Sequence, residues 1–253
     1  MNSYRANQKI SETDICKADM GQFLLLEAGK ELKTNNWNLT FNSLKEQCSG
    51  YGISAETEED MHESGLLDTE GRYTKLALLV SDQCPYTYQV NVFQGRDTRI
   101  CRKKKEFKGS LIRQAEDVYE FISFYNQVKA EFSGLFRHDT WVYPEEALKE
   151  AVFYSIACRS YDLPASNIIH LFQNRIVFVS VGNPFTKDSE SCNPDLVSLF
   201  IRLKLVEKQD TGMERLNKLY ENDALKPKLE TSDHACRLTL YNVNEIQSSG
   251  KAL

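Results

Sequence analysis

The sequence contains few histidines and no closely spaced cysteine pair. Its 253 residues include four histidines and seven cysteines, and no two cysteines form a C-x-x-C pair. Common zinc sites need several such ligands at short spacings, and disulfide frameworks usually use an even number of cysteines. We therefore expect free or buried thiols and no metal site.

Long apolar runs are also missing. No segment approaches the roughly 18 consecutive apolar residues that mark a membrane helix, and the opening segment MNSYRANQKISETDIC is polar rather than signal-like. These absences predict a cytoplasmic protein with no membrane partner. The formal net charge of −5 argues against capture of nucleic acid by bulk electrostatic attraction, but it leaves room for a local basic patch.

What is present is typical of a globular protein. Hydrophobic residues make up 41% and charged residues 26% of the chain. A length of 253 residues allows one large domain or two smaller ones. Helical periodicity and β-type alternation follow one another without an internal repeat. The pattern predicts an α+β fold with a mixed or antiparallel sheet and helices packed on one face.

Individual segments carry the prediction of secondary structure. We expect helices in TFNSLKEQC, TKLALLVSD, the segment from Leu111 to Ile122 after an N-cap at Ser110, NPDLVSLFIRLKLV and TGMERLNKLYEND. We expect strands in YQVNVFQG, in the pair within AEFSGLFRHDTWVYP, in NIIHLFQNRIVFVSVG with a turn at Gln173–Asn174, and in a final hairpin within KPKLETSDHACRLTLYNVN.

One helix carries unlike functional groups on a single stripe. In EEALKEAVFYSIACRSY, the residues Glu150, Tyr154 and Cys158 stand four positions apart and therefore share a face. The functional interpretation makes Glu150 a general base. The alternative is a solvated carboxylate, or one paired with Arg159 or Lys149, with Tyr154 and Cys158 as packing residues because no histidine is near in sequence to activate the thiol.

Several segments together resemble the RecG-like transcriptional regulators. They are, in order, GLLDTEGRYTKLALLVSDQCPYTYQVNVFQG, EFKGSLIRQAEDVYEFISFYN, YPEEALKEAVFYSIACRSY, FQNRIVFVSVG, LFIRLKLVEKQDTGMERL and KPKLETSDHACRLTLYN. In that family an AlbA/Schlafen-type nucleic-acid-binding domain precedes a histidine-kinase-like ATPase domain of the GHKL type. The resemblance covers the chain from about residue 50 onward and rests on the order of the segments.

The resemblance also implies a division of the chain. Residues 1–60 would be a remnant of the AlbA-type domain with a connector, 61–140 a mixed α/β region, 141–246 the ATPase-like domain and 247–253 a flexible tail. On this view the chain starts where the family's AlbA-type domain ends. The DNA-binding parts are the least represented.

The helix with Glu150 departs from the family pattern. Glu150 matches the activating base, and Arg159 and Tyr161 match their family counterparts. Other residues replace three family residues, and they are Tyr154 for asparagine, Cys158 for histidine and Ser160 for aspartate. The asparagine helps to hold the metal that bridges the phosphates, and a phenol is a poor substitute because Mg²⁺ prefers compact oxygen ligands.

The glycine-bearing segments depart as well. Gly182 remains, followed by Asn183, but Pro184 removes a backbone donor and Phe185 adds bulk. The nucleotide-lid segment is reduced to TKDSESC.

Near the second such segment, Thr211 and Gly212 remain while Asp210 brings negative charge to where phosphate would lie. The resemblance implies that Tyr154, Arg159, Gly182, Asn183, Thr211 and Gly212 are what is left of a nucleotide site.

A basic run offers the one direct nucleic-acid signal. Arg102, Lys103, Lys104 and Lys105 could contact a phosphate backbone, although short basic runs more often form a solvated loop. An aromatic cluster is more typical of packing than of base stacking, and its members are Phe121, Phe124, Tyr125, Phe132 and Phe136.

Three functions remain open on the sequence. The first is a regulatory or binding protein with a degenerate, inactive ATP site, acting through a protein partner, a homo-oligomer or, weakly, DNA. The second is an ATP-binding protein that hydrolyses ATP slowly with Mg²⁺ and Glu150. The third is a structural fragment whose exposed edge drives self-association.

Overall fold

The structure is a computed structural model, and it describes residues 38–48, 55–133, 135–163, 165–182, 193–207, 212–232 and 234–244. The segment ETDICKADMGQFLLLEAGKEL, whose pattern gives a weak helix signal, lies outside the described residues, as do the segment 183–192, Asp210 and the tail after residue 244.

The elements alternate along the chain as the hydrophobic pattern predicts. The helices are α1 (Asn42–Cys48), α2 (Glu58–Glu63), α3 (Lys75–Val80), α4 (Leu111–Ser123), α5 (Glu145–Ala157), α6 (Pro194–Arg202) and α7 (Gly212–Leu219). The strands are β1 (Tyr88–Phe93), β2 (Cys101–Phe107), β3 (Val128–Ser133), β4 (Phe136–Trp141), β5 (Asn167–Leu171), β6 (Arg175–Val181), β7 (Lys228–Thr231) and β8 (Ala235–Tyr241).

Six strands form one mixed sheet in the order β2-β1-β5-β6-β8-β7. The pair β1–β5 is parallel and the other neighbouring pairs are antiparallel. The crossover from β1 to β5 contains α4 and α5, in keeping with the long connection that parallel strands require. The hairpin β3–β4 forms a separate two-stranded sheet.

The two faces of the six-stranded sheet differ. Val90, Ile169, Phe178 and Leu238 belong to the main core together with residues of the helices. The opposite side chains form a smaller apolar cluster of Phe172, Val177 and Val179, with Phe93 and Ile168 packed beside it. Among the described residues the helices thus cover one face, which confirms the predicted α+β class with a mixed sheet.

Helix α4 shows why the periodic signal is reliable. Its buried residues include Leu111, Ala115, Val118 and Ile122, the set with 3-4 spacing, and this stripe packs against α5, β1 and β2. Ser110 occupies the N-cap position but makes no side-chain capping bond.

The basic run is a strand rather than a loop. Arg102 to Lys105 lie in β2, the edge strand beside β1, and their side chains are exposed. The prediction of a loop is therefore wrong, because the run forms a strand. The side chains are nevertheless exposed to solvent, as a solvated run would be. Four consecutive cations hide the alternation that usually indicates a strand, and pairing with β1 supplies the order instead.

The sheet takes strands from both sides of residue 140. β1 and β2 come from the predicted region 61–140, whereas β5 to β8 come from 141–246. The main core likewise runs from Phe41 to Leu240. The proposed domain boundaries stay a prediction.

Candidate functional site

The carboxylate of Glu150 on α5 is bound by Arg215 of α7. Arg215 Nε donates to Oε2 at 2.9 Å and Nη2 donates to Oε1 at 2.7 Å. The two side chains are only 12% and 14% exposed. Sequence proximity suggested Lys149 or Arg159 as the partner, and the actual partner lies 65 positions away. Because guanidinium donors occupy both of its oxygens, the Glu150 carboxylate is less available to activate a water molecule.

Gly212, the first residue of α7, lies against the face of α5 that carries Glu150 and Tyr154. A Cβ added to Gly212 would lie 2.7 Å from Glu150 Oε1 and 2.7 Å from Tyr154 Cδ2. Glycine is therefore required for the close approach of α7 to α5. The structure thus brings the predicted residues Glu150 and Tyr154 together against the backbone of Gly212, with no space for a further atom at Gly212.

Cys158 follows the last turn of α5, and its free thiol lies near the free thiol of Cys236 on β8. Interaction with the Cys236 thiol and burial raise the pKa of Cys158, while a hydrogen bond with Tyr154 acts in the opposite direction. The thiolate is the reactive form of cysteine. Cys158 thus stays protonated at neutral pH, which favours the packing interpretation.

Arg159 is a buried arginine held by aromatic rings. Its guanidinium carbon lies 4.6 Å from the ring centroid of Tyr86 and 5.2 Å from that of Tyr161. Nη2 donates to the carbonyls of Leu163, at 3.2 Å, and Ala165. Burial lowers the pKa of Arg159. These contacts give Arg159 a role in holding the loop between α5 and β5.

Gly182 follows β6 directly and lies in close contact with the segment after α5. Its φ is +96°, and an added Cβ would overlap Ser160 Cβ. Ser160 N donates to the Val181 carbonyl at 2.8 Å, and Gly182 N donates to the His234 carbonyl at 2.8 Å. Backbone conformation and lack of space both require glycine here.

Two further predicted site residues, Asn183 and Thr211, lie outside the described residues. Their proposed contacts with a nucleotide stay predictions.

The basic residues of β2 point to alternate faces of the sheet. Lys103 and Lys105 lie on the helix side, with Nζ atoms 5.1 and 5.2 Å from the ring centroid of Phe121. Arg102 donates to the side-chain oxygen of Gln94. The run is therefore divided between two surfaces and forms no single basic patch.

Only some residues of the predicted aromatic cluster are seen to pack against other rings. Phe121 contacts Phe107 and Tyr125, with ring centroids 5.7 and 5.3 Å apart. Phe124 is 82% exposed. The side chains of Phe132 and Phe136 lie outside what the structure describes.

Two cavities contain none of the predicted site residues. A cavity of about 680 Å³ lies among α1, α4 and α5, where Tyr119, Lys149 and Phe153 line it. A smaller cleft of about 190 Å³ lies on the face of the sheet away from the helices, with Arg175, Arg237 and His170 in its lining. Sequence reasoning missed both arginines, since each stands alone in an apolar strand pattern.

The described part of the chain contains no group of three or more His, Cys, Asp or Glu side chains placed to hold a metal ion. Within the same residues, no helix has both the length and the apolar character needed to cross a membrane.

The fold has a distant counterpart among solved structures. Neither a family model nor a curated protein matches the sequence. The crystal structure of the DIP2311 protein from Corynebacterium diphtheriae is similar, with a TM-score of 0.69 and 16% identity. The match covers 86% of this chain and 50% of that chain, so this chain spans about half the length of its neighbour. At this identity the likeness shows the fold alone.

Proposed function

We propose that this chain is a regulatory or binding protein derived from the RecG-like transcriptional regulators, with an ATP-like site that has lost efficient hydrolysis. The observation that carries the proposal is the bidentate bond from Arg215 to Glu150. In the resemblance Glu150 corresponds to the base that activates water. A base already holding two guanidinium donors must break an ion pair before it can accept a proton.

The surroundings of Glu150 support the same proposal. The Tyr154 ring lies against the backbone of Gly212 at the start of α7, the segment that the resemblance assigns to phosphate binding. Mg²⁺ needs oxygen ligands in nearly octahedral geometry, and an aromatic ring at this place supplies bulk instead. The described residues are therefore a poor fit to a bound magnesium–nucleotide complex. On this proposal the protein acts by binding a protein partner, a second copy of the chain or DNA.

A thermal-shift titration tests the proposal. The protein is titrated with ATP and with a non-hydrolysable analogue, with and without Mg²⁺, because a ligand that binds only the native state raises its melting temperature. We expect no shift for the wild type. Tyr154→Asn combined with Arg215→Gln restores space and frees Glu150, and this variant should gain a Mg²⁺-dependent shift.

Lys149→Gln provides the matched control, because it removes one positive charge from an exposed residue adjacent to Glu150. It should behave like the wild type. A Mg²⁺-dependent shift in the wild type would contradict the proposal and favour an ATP-binding protein that hydrolyses ATP slowly with Glu150.

A further inference from the structure

The face of the six-stranded sheet turned away from the helices carries a second candidate site. We call this surface the open face. Its apolar floor consists of Phe172, Val177 and Val179. The cleft of about 190 Å³ lies on this floor, and the loop residues Arg96 to Thr98 line it together with strand side chains. A cleft of this volume is smaller than the roughly 300 Å³ at which small-molecule pockets begin, so it suits one small group of a larger ligand.

Arg175 is held in place within the cleft. Its guanidinium carbon lies 4.2 Å from the ring centroid of Phe172. Nη1 donates to the Arg96 carbonyl at 3.1 Å and to Asn174 Oδ1 at 2.9 Å. These contacts use one nitrogen and fix the plane of the fork. A planar guanidinium with its orientation fixed loses little entropy when it binds a phosphate or carboxylate with its other donors.

Arg237 reaches the same cleft from the neighbouring strand. In the β6–β8 register Arg175 lies opposite Tyr241, and Arg237 lies opposite Val179. The two arginines therefore start well apart on the backbone, and both side chains line one small cleft. Burial and the positive charge of Arg237 lower the pKa of Arg175. Within the described residues the buried Arg237 Nε has no hydrogen-bond acceptor. An anion between the two guanidinium groups would offset their repulsion and supply that acceptor.

The carboxylates of this surface are already paired with other cations. Three ion pairs account for the acidic residues described on the open face or in the lining of the cleft, namely Asp97–Arg99 at 2.7 Å, Glu106–Lys108 at 3.0 Å and Glu230–Lys228 at 2.7 Å. Lys104, Arg175 and Arg237 point to the same face by strand alternation. In a chain with a net charge of −5, this surface has a local excess of positive charge.

We propose that the open face binds single-stranded nucleic acid, with one backbone phosphate in the Arg175–Arg237 cleft. β2 lies three strand positions from β6, a distance of about 14 Å at the usual spacing between strands. A flexible strand that leaves the cleft can cross β5 and β1 and place a further phosphate near Lys104. Because the loop at Arg96 borders the cleft, a flexible backbone can enter where the rigid cylinder of a duplex cannot.

This inference goes beyond the proposed function and uses a different surface. The nucleotide titration reports on Glu150 and Arg215, which lie on the helix side of the sheet, whereas nucleic-acid binding reports on Arg175 and Arg237. Either proposal can fail while the other holds.

Fluorescence anisotropy with a labelled single-stranded DNA of about 15 nucleotides tests the inference. We expect salt-dependent binding by the wild type. The double variant Arg175→Gln/Arg237→Gln should bind at least about tenfold more weakly, and the steepness of log K against log salt should fall by about 0.7, because one phosphate contact of a single strand is lost. Arg175→Lys/Arg237→Lys keeps the charge without the fork, so its loss should be intermediate.

The matched control is Lys103→Gln/Lys105→Gln, which removes the same charge from the helix side of β2, where both side chains lie over the Phe121 ring. It should lose less than about threefold. Melting temperatures measured in parallel show whether each variant is folded. Equal losses in the two glutamine variants, no salt-dependent binding by the wild type, or tighter binding of a duplex of the same sequence would each overturn the inference.

Discussion

Arg215 binds both carboxylate oxygens of Glu150, at 2.9 and 2.7 Å, and thereby joins the first turn of α7 to α5. The Gly212 backbone lies against the same carboxylate. The residue that most invites a catalytic interpretation is thus also a structural link between two helices.

The first prediction concerns that link. Arg215→Met should lower the free energy of unfolding by about 1–3 kcal/mol, because it leaves a mostly buried carboxylate without its donors. Urea denaturation measures the effect. Arg113→Met removes one side of the exposed Arg113–Asp117 pair and should cost less than about 1 kcal/mol. Equal costs for the two variants would mean that the bidentate bond adds nothing to stability.

The second prediction separates backbone strain from lack of space. Gly109 and Gly182 both have positive φ, 92° and 96°, but an added Cβ meets nothing within 4 Å at Gly109 and overlaps Ser160 at Gly182. Gly182→Ala should therefore destabilise the protein by about 1–3 kcal/mol more than Gly109→Ala. Ser160→Gly removes the clashing Cβ and should recover part of the loss in thermal denaturation. No recovery would assign the cost of Gly182→Ala to strain alone.

The third prediction tests the aromatic surroundings of Arg159. Arg159→Lys should destabilise the fold by about 2–4 kcal/mol, because an ammonium cannot lie against both tyrosine rings and retain the bonds to the loop carbonyls. Arg202, which is exposed and donates to the Glu63 carbonyl at 3.1 Å, is the control. Arg202→Lys should change the unfolding free energy by less than about 0.5 kcal/mol. If Arg159→Lys were equally mild, the buried stacking would not be a stabilising feature.

The fourth prediction is a pH dependence at Asp82. Its carboxylate accepts hydrogen bonds from Thr40 Oγ1 at 2.7 Å, from the Asn42 N–H at 2.9 Å, and from Ser43 Oγ and the Ser43 N–H at 2.8 and 3.0 Å. Burial acts to raise the pKa of Asp82, but these bonds outweigh it and lower the pKa from its usual 3.8.

Since the folded pKa is below the unfolded one, the ionised Asp82 stabilises the fold above pH 3.8, and this contribution is lost as the pH falls through the folded value. Asp82→Asn should therefore cost about 1–2 kcal/mol at pH 7, and the difference from wild type should shrink in acid. A difference that stays constant down to pH 3 would contradict the prediction.

Most elements follow from local pattern. Alternation in YQVNVFQG, the 3-4 spacing from Leu111 to Ile122 and the two β-rich hairpins each indicate their structure within a short window, and the structure agrees. Periodicity is reliable because each element must turn its apolar side chains toward one core. The α+β class is a direct consequence of that order of elements.

Which residues meet was decided by the tertiary structure. Nothing near Glu150 in sequence points to Arg215, because their contact depends on how α7 crosses α5. The run from Arg102 to Lys105 becomes a strand because β1 offers it a pairing edge. Arg175 and Arg237 share a cleft only because β6 and β8 are neighbours in the sheet. A sequence pattern determines which side of an element is apolar, whereas long-range packing determines what that side, or the opposite one, contacts.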